Sequence, residues 1–471
     1  MGESLFRTRS VSLTAQERVA SDATDQDFLD FARGLTRHGP SVVLLSGGDH
    51  DSARYSIAAW DAFAELQSKE GHVLVRVGGE RSAVSSAPLD ALDALAGSFR
   101  PDFGLAVEPF AGGAVGYAAY DLKNSVERLP QTAVDDHGLP DLWLLWPRRV
   151  LVHDRATGAL DALTIGYEGD TAPAAQTELR AEPAVGADFR IGAFESNFTH
   201  EAYLAAVERV RDYIRNGDVY QVNLSQRFRC AFEGDAFALW EALYGLNPAP
   251  FYAFVQAGDH QVLCTSMERF LLRRGASIET RPIKGTRPRG DTPEADAAQR
   301  AELAASAKDD AELSMIVDLL RNDLGRVCLP RSVHVAEHRR LEAYQNVHHL
   351  VSIVRGELPA GVTCGEILRA TFPGGSITGC PKIRVMEIID ELEPHVRHVY
   401  TGSIGYLGWH DNFDLNIVIR TALVHRGALH LSVGGGIVYD SDPQSEFEET
   451  LHKARTFFEV IERLRRGVAK R

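Results

Sequence analysis

The stretch Ser266 to Gly290, SMERFLLRRGASIETRPIKGTRPRG, holds one lysine, Lys284, in a segment too punctuated by Pro and Gly to be helix. Pro282 restricts its neighbour and Gly285 permits close backbone approach, so the segment is expected to be well fixed. Arg281, Arg287 and Arg289 suit a basic surface turn; an amine held beside a substrate is the alternative, and these residues alone leave both open. Carboxylates recur at helical spacing elsewhere. Asp309 and Glu312 are i,i+3, and so are Glu446 and Glu449, with Lys453 four residues further on. Two such pairs facing one another would hold a hard divalent cation. Mg²⁺ takes one or two carboxylates and completes its shell with water and substrate. A solvated acidic face accounts for the first pair equally well. For the second, Ser445 and Glu448 read as a capping box, which explains Glu448 but leaves Glu446 and Glu449 free.

Two glycine-rich stretches could approach an anion. FPGGSITGCPK spaces Gly374 and Gly379 as a phosphate loop does, but Cys380-Pro381-Lys382 follows where Lys-Ser/Thr is required, which disfavours a nucleotide site. A loop whose N–H groups meet an anion stays open. SVGGGIVYD, with Gly434 to Gly436, lacks the dinucleotide spacing; its glycines let backbone approach a ligand carboxylate or make a bulge. His348 and His349 come without HxxxH or HExxH, so zinc is not expected from them.

These residues need elements to position them. Residues 1 to about 170 read as short strands separated by Gly and Asp, for example SVVLLSGG, HVLVRVGG and GGAVGYAAYD. An Ala/Pro-rich linker is expected near residues 170–185, dividing a region 1–185 from a region 195–465. In THEAYLAAVERVRDYIRNGD, Tyr203, Val207, Val210 and Ile214 share a helical face. VYQVNLSQRF alternates as a strand, with Tyr220, Val222, Leu224 and Phe228 on one face and Gln221, Asn223, Ser225 and Arg227 on the other, a polar face that solvent would account for. Helical patterns follow at PEADAAQRAELAAS, capped by Thr292, and at DDAELSMIVDLLRNDLG, PKIRVMEIIDELEP and SEFEETLHKARTFFEVIERLRR. Helices and strands without strict βαβ alternation indicate an α+β protein with large sheets.

Composition narrows the partners. A net charge of −15 over 471 residues argues against general nucleic-acid binding, and it requires any anionic substrate to be met by local Arg, backbone N–H groups or a metal. Five cysteines without CxxC indicate neither a disulfide scaffold nor a zinc ribbon, and suggest a reducing compartment. No apolar run reaches signal-peptide or membrane-span length, so a cytoplasmic protein is expected.

Taken together these motifs resemble the chorismate-utilising enzymes, the anthranilate, aminodeoxychorismate, isochorismate and salicylate synthases. DVYQVNLSQRF, SMERF, RPIKGT, ELSMIVDLLRNDLGRV, HHLVS, FPGGSITGCPK, GSIGYL, IRTA, GGGIV and SEFEETLHKA carry the resemblance over residues 195–465, and LLSGG, ARYS and GGAVGYAAYDL extend it more loosely toward the N-terminus. The resemblance implies a four-layer α+β sandwich like that of anthranilate synthase, with two large mixed or antiparallel sheets, helices outside and the two regions interleaved. It implies that Lys284 is a covalent nucleophile of the aminodeoxychorismate branch, where anthranilate synthases carry Ala, and that Glu268 is the acid/base. Family members usually read Ser-Pro-Glu there; Met267 departs from that and leaves the glutamate in place. Gln221 stands where water-using members carry a lysine base, which favours ammonia as nucleophile. Glu312 and Glu449 are implied as principal Mg²⁺ ligands, with Asp309 and Glu446 beside them. Chorismate would meet Arg420, Tyr406, Lys453 and the N–H groups around Gly434 and Gly435, with His349 near its ring and Thr378 touching it. The ammonia would come from a separate glutamine amidotransferase. A tryptophan site is implied by the Ser46 region with Pro250, Phe251 and Tyr252. Anthranilate formation is the competing activity, and a non-catalytic scaffold or amino-acid sensor for an amidotransferase is the competing class.

Overall fold

The computed structural model describes residues 4–104, 109–170, 180–182 and 189–465, excepting the side chains of 456 and 463–465. Most of the expected linker lies outside the described residues.

The architecture turns on one long antiparallel pair, Tyr55–Lys69 with Leu142–Asp154. Its register shifts between Ala62 and Ala64, opposite Pro147 and Trp146. A bulge bends and twists a ribbon, and Pro147 cannot donate to a ladder. Each half of the pair therefore continues into a different sheet. The half at 55–60 runs through Ser41–Leu45, Phe251–Gln256, His260–Ser266, Thr421–His425 and Ala428–Ile437 to Gln221–Gly234. The half at 142–145 runs through Gly113–Ala118, Ser403–Gly408, Asn412–Asn416, Arg269–Arg274 and Ser277–Arg281 to Val347–Glu357. Val347–Glu357 also pairs with Ile283–Pro288, the strand that carries Lys284. All of these pairings are antiparallel, and strands from before residue 170 lie between strands from after residue 189.

Alternation along the strands assigns their faces. Val42, Val255 and Val262 of the first sheet share a buried cluster with Val115, Ile404, Phe413 and Val354 of the second. Their neighbours Val43, Phe254 and Leu263 point the other way, into a cluster with Phe28, Leu239, Trp240 and Phe457 of the helices Asp25–Thr36, Ala236–Leu246 and Pro443–Arg465. Each such side chain contributes about 1.5–3 kcal/mol by leaving water. Together with these helices the antiparallel sheets make an α+β fold. No described helix is long and apolar enough to cross a membrane.

Four expectations are corrected. The N-terminal region is not only short strands, since it contains the helices Asp25–Thr36 and Pro88–Ser98 and a 15-residue strand. The strand beginning at Gln221 is buried on both faces: the helices His200–Arg215 and Lys382–Leu392 cover Val222 and Leu224, and Gln221, Asn223 and Ser225 are buried too, Asn223 bonded to the Ile377 carbonyl and Ser225 to Glu393. Tyr220, just before it, is 69% exposed instead of joining the apolar face. The last helix begins at Pro443, and Asp442 accepts hydrogen bonds from the Ser445 N–H and hydroxyl, so Ser445 with Glu448 is not its cap.

Candidate active site

Lys284 lies on the strand Ile283–Pro288, whose register against Val347–Glu357 shifts at Gly285, a residue with φ of +72°. A side chain at Gly285 would be strained and would press on Leu303 and Asp309, so glycine lets the helix Ala307–Gly325 sit against the strand. The Lys284 Nζ donates to the Ser376 carbonyl at 3.2 Å. Burial lowers the pKa of this amine, opposed by Glu268, Glu312 and Glu449 and assisted by Lys453. An amine so placed reaches its neutral, nucleophilic form more readily than a surface lysine.

Glu268 lies between the strands His260–Ser266 and Arg269–Arg274 and is 5% exposed. Its carbonyl accepts from the Ile417 N–H at 3.0 Å, which fixes the backbone. Burial pushes its carboxyl from 4.5 up to about 7, against the Ser376 hydrogen bond and the charge of Lys284. A carboxyl poised near neutrality can both hold and deliver a proton. Ser376 thus joins the two groups, its carbonyl on Lys284 and its side chain on Glu268. Its sequence signal is only its place in FPGGSITG, which points no more to Ser376 than to Thr378. Thr378 turns its hydroxyl to the Gly374 carbonyl at 3.1 Å and so braces its own loop.

That loop is held to the sheet by a buried polar network. Gly379 and Cys380 pair with Val222 and Gln221, and the Asn223 N–H donates to the Thr378 carbonyl at 2.7 Å. Arg397 donates to the Ile377 and Asn223 carbonyls while Glu393 neutralises it and accepts from Ser225. A network with every member satisfied positions groups rigidly in low dielectric. Gln221 stands at its edge, buried, with its amide against Gly436, where no side chain would fit, and its Oε1 without a hydrogen-bond partner.

The carboxylates meet from two helices. The position of a Cβ on Gly435 would lie 3.2 Å from Glu446 Oε2, 3.7 Å from Glu449 Oε1 and 3.8 Å from Lys453 Nζ. Glu312, on Ala307–Gly325, interacts with Glu449 and with Lys284. Burial raises the pKa values of Glu312 and Glu446, and Glu449 adds to both. Lys453 holds Glu449 below the usual carboxylate range, from 2.6 Å, and also donates to the Gly434 carbonyl at 2.9 Å. Asp309 is taken by Arg287 at 3.1 Å, and Glu446 accepts from Ser441 at 2.6 Å. Arg287 is therefore no free basic turn. The four carboxylates do not all converge within ligand distance of one another, and among the described residues the only side chains meeting that test are Asp136, His137 and His398.

Arg420 closes the other side. Its backbone is left-handed, with φ of +50°, and its carbonyl accepts from both the N–H and the hydroxyl of Thr265. Among the described residues its guanidinium makes no hydrogen bond and no ion pair. Burial lowers its pKa, while Tyr252 and Tyr344 favour the charge. A desolvated cation without a carboxylate is a receptor for an anion. His349 lies near it. Its Nδ1 sits 3.2 Å from the Gly285 carbonyl and 3.1 Å from the Thr286 hydroxyl, and its Nε2 is buried and unpartnered. Burial, followed by the charge of Arg420, lowers this imidazole to about 3, so it is neutral with Nδ1–H toward the carbonyl and a lone pair on Nε2.

Tyr406 does not join this group. On Ser403–Gly408 it lines a separate cavity of about 200 Å³ with Ser46, Pro250, Phe251 and Tyr252, the residues of the expected amino-acid site. Its spacing in GSIGYL could not show that its strand faces Gly113–Ala118 rather than the lysine.

The profile of the chorismate binding enzyme family matches residues 41–459. Aminodeoxychorismate synthase component 1 of Salmonella typhimurium is 41% identical over 90% of this chain and 94% of that protein. Anthranilate synthase component 1 of Thermus thermophilus is 40% identical over 92% and 95% respectively. The crystal structure of anthranilate synthase component I from Streptococcus pneumoniae has a TM-score of 0.76 at 31% identity, covering 87% of this chain and 93% of that one. A part-buried amine beside a neutral-range carboxyl, an unpaired arginine and two carboxylate-bearing helices accompany these matches, and the chain belongs to the chorismate binding enzyme family.

Proposed function

We propose that the chain aminates chorismate to 4-amino-4-deoxychorismate, the activity of an aminodeoxychorismate synthase component 1, which supplies 4-aminobenzoate for folate synthesis. Overall identity does not separate this from anthranilate formation, since relatives of both names match almost equally. The observation that carries the proposal is Lys284, a desolvated amine tied to Ser376 beside Glu268. The neutral amine would attack C2 of chorismate as the ring double bonds shift and the C4–O bond breaks. Glu268, protonated, would give its proton to the departing hydroxyl, which leaves as water. The amine nitrogen returns one proton to Glu268; ammonia then forms the C4–N bond as the double bonds shift back and the C2–lysine bond breaks, Glu268 protonating the leaving amine while the new C4 nitrogen sheds a proton. This splits one hard displacement into two easier ones.

Arg420 would hold a substrate carboxylate, and the unpaired Nε2 of His349 would accept a hydrogen bond beside it. Gln221 is neutral and presents a free Oε1, which suits ammonia and gives water no base. The donor set of Glu312, Glu446 and Glu449 is all oxygen, which fits Mg²⁺, with Glu312 and Glu449 as the principal ligands, Lys453 against Glu449 and Asp309 held apart by Arg287. Bound there, Mg²⁺ would neutralise substrate carboxylates. The ammonia would come from a separate glutamine amidotransferase subunit, in the cytoplasm. The Ser46 cavity is a second site, which we assign to a small amphipathic aromatic ligand such as tryptophan.

The test is a product assay. Chorismate, Mg²⁺ and ammonium should give a compound that an added lyase converts to 4-aminobenzoate. Accumulation of fluorescent anthranilate instead would sink the assignment.

A further inference from the structure

Outside the residues assigned to the reaction, His137, His398, His425 and His430 gather where the loop before Leu142–Asp154 crosses the first sheet, each buried to 7% exposure or less. The His137 ring lies 4.7 Å from that of His398, 4.3 Å from His430 and 5.6 Å from His425. One ligand atom from each of Asp136, His137 and His398 falls within 4.8 Å of the others. The Asp136 Oδ1 is 3.5 Å from His398 Nε2 and 3.9 Å from His137 Nε2. Tetrahedral Zn²⁺, with bonds of about 2.0–2.1 Å, spaces its ligand atoms about 3.3 Å apart, so bringing these two separations to that value takes side-chain shifts of roughly half an ångström.

A second observation points the same way. The buried nitrogens His398 Nε2, His425 Nε2 and His430 Nδ1 have no hydrogen-bond partner. Orphaned polar atoms cost stability in a dry interior; of these, His398 Nε2 lies 3.5 Å from Oδ1 of both Asp135 and Asp136. An opening of about 390 Å³, lined by Asp136, His137, Arg227, His425 and His430 among others, gives access. Arg227 grips both Asp136 oxygens, at 2.6 and 3.1 Å, and reaches His137 Nε2 at 3.3 Å. It could keep Oδ2 as an outer partner that orients the carboxylate, but its Nη1 contacts would yield to an ion.

We propose that Asp136, His137 and His398, with a fourth position left to water, form a site for a divalent transition-metal ion of the zinc class. The ligands come from the loop after Tyr120–Ser125 and the segment after Lys382–Leu392. The ion therefore clips the N-terminal region to the C-terminal one. His425 is a neighbour rather than a ligand. Its Nδ1 donates to the Asp259 carbonyl at 3.0 Å.

The experiment uses the full chain, stripped by chelator and held in excess Mg²⁺ so that the oxygen-only carboxylate site is occupied. Zn²⁺ is titrated against a chromogenic chelator, and Co²⁺ by its visible absorption. Expected are one Zn²⁺ per chain at about micromolar concentration or tighter, an intense tetrahedral Co²⁺ band that Zn²⁺ abolishes, and binding weakened at least tenfold in His137→Asn and His398→Asn. Glu312→Gln leaves the binding unchanged. A wild-type chain with no tetrahedral Co²⁺ band, or histidine variants that bind Zn²⁺ as wild type does, overturns the assignment. The wild-type spectrum decides even where a variant does not fold.

Discussion

Arg420→Met separates substrate binding from folding. The guanidinium is desolvated and makes no ion pair among the described residues, so the folded protein carries its cost until an anion arrives. Methionine keeps an unbranched stem of similar length and so preserves the left-handed backbone and the Thr265 contacts to the carbonyl. Truncating one partner of a buried, hydrogen-bonded charge pair costs about 2–5 kcal/mol. At about 1.4 kcal/mol per tenfold, chorismate affinity should fall between roughly 30-fold and several thousand-fold. Free of ligand, the variant should melt above wild type, because a part-buried cation with no carboxylate partner among the described residues is gone. Arg420→Lys should fall between the two in affinity, since an ammonium keeps the charge and loses the bidentate fork. Calorimetric titration with chorismate in Mg²⁺ but without ammonia reads the first effect, and thermal melting of the ligand-free chains reads the second. Arg420→Met binding chorismate within threefold of wild type would refute the anion-receptor assignment, whatever its melting temperature.

Three other outcomes are expected. Lys284→Ala should lose at least 10³-fold in turnover while still binding chorismate; turnover at the wild-type rate would remove the covalent role. The raised pKa of Glu268 makes a contribution to stability that is fully present below 4.5 and is lost as pH rises to about 7, worth ~3 kcal/mol. Glu268→Gln has no such proton to lose, so in urea unfolding at pH 4.5 and 8 its stability relative to wild type should rise by about that amount; a pH-independent difference refutes the shift. Glu449→Gln should shift the Mg²⁺ activation curve to at least tenfold higher concentration, and an unaltered titration would move the metal elsewhere.

The sequence by itself determined the helices that bear Glu312 and Glu449, the alternating strand at Gln221 and the α+β class, because periodicity is local. Thr292 caps its helix by accepting from the Ala295 N–H, as its place before Pro293 indicated. What tertiary structure alone decided was which atoms reach the lysine. Ser376 rather than Thr378 joins Lys284 to Glu268, because docking against Gln221 and Val222 fixes how the glycine loop is turned. Arg287 occupies Asp309 because Gly285 lets the helix approach, and Tyr406 faces the Ser46 cavity because its strand pairs with Gly113–Ala118. The pKa values of Lys284, Glu268 and His349 depend on burial, which is set by every element packed around them. Residue types are written in one dimension. Desolvation and convergence are properties of the assembled sheets.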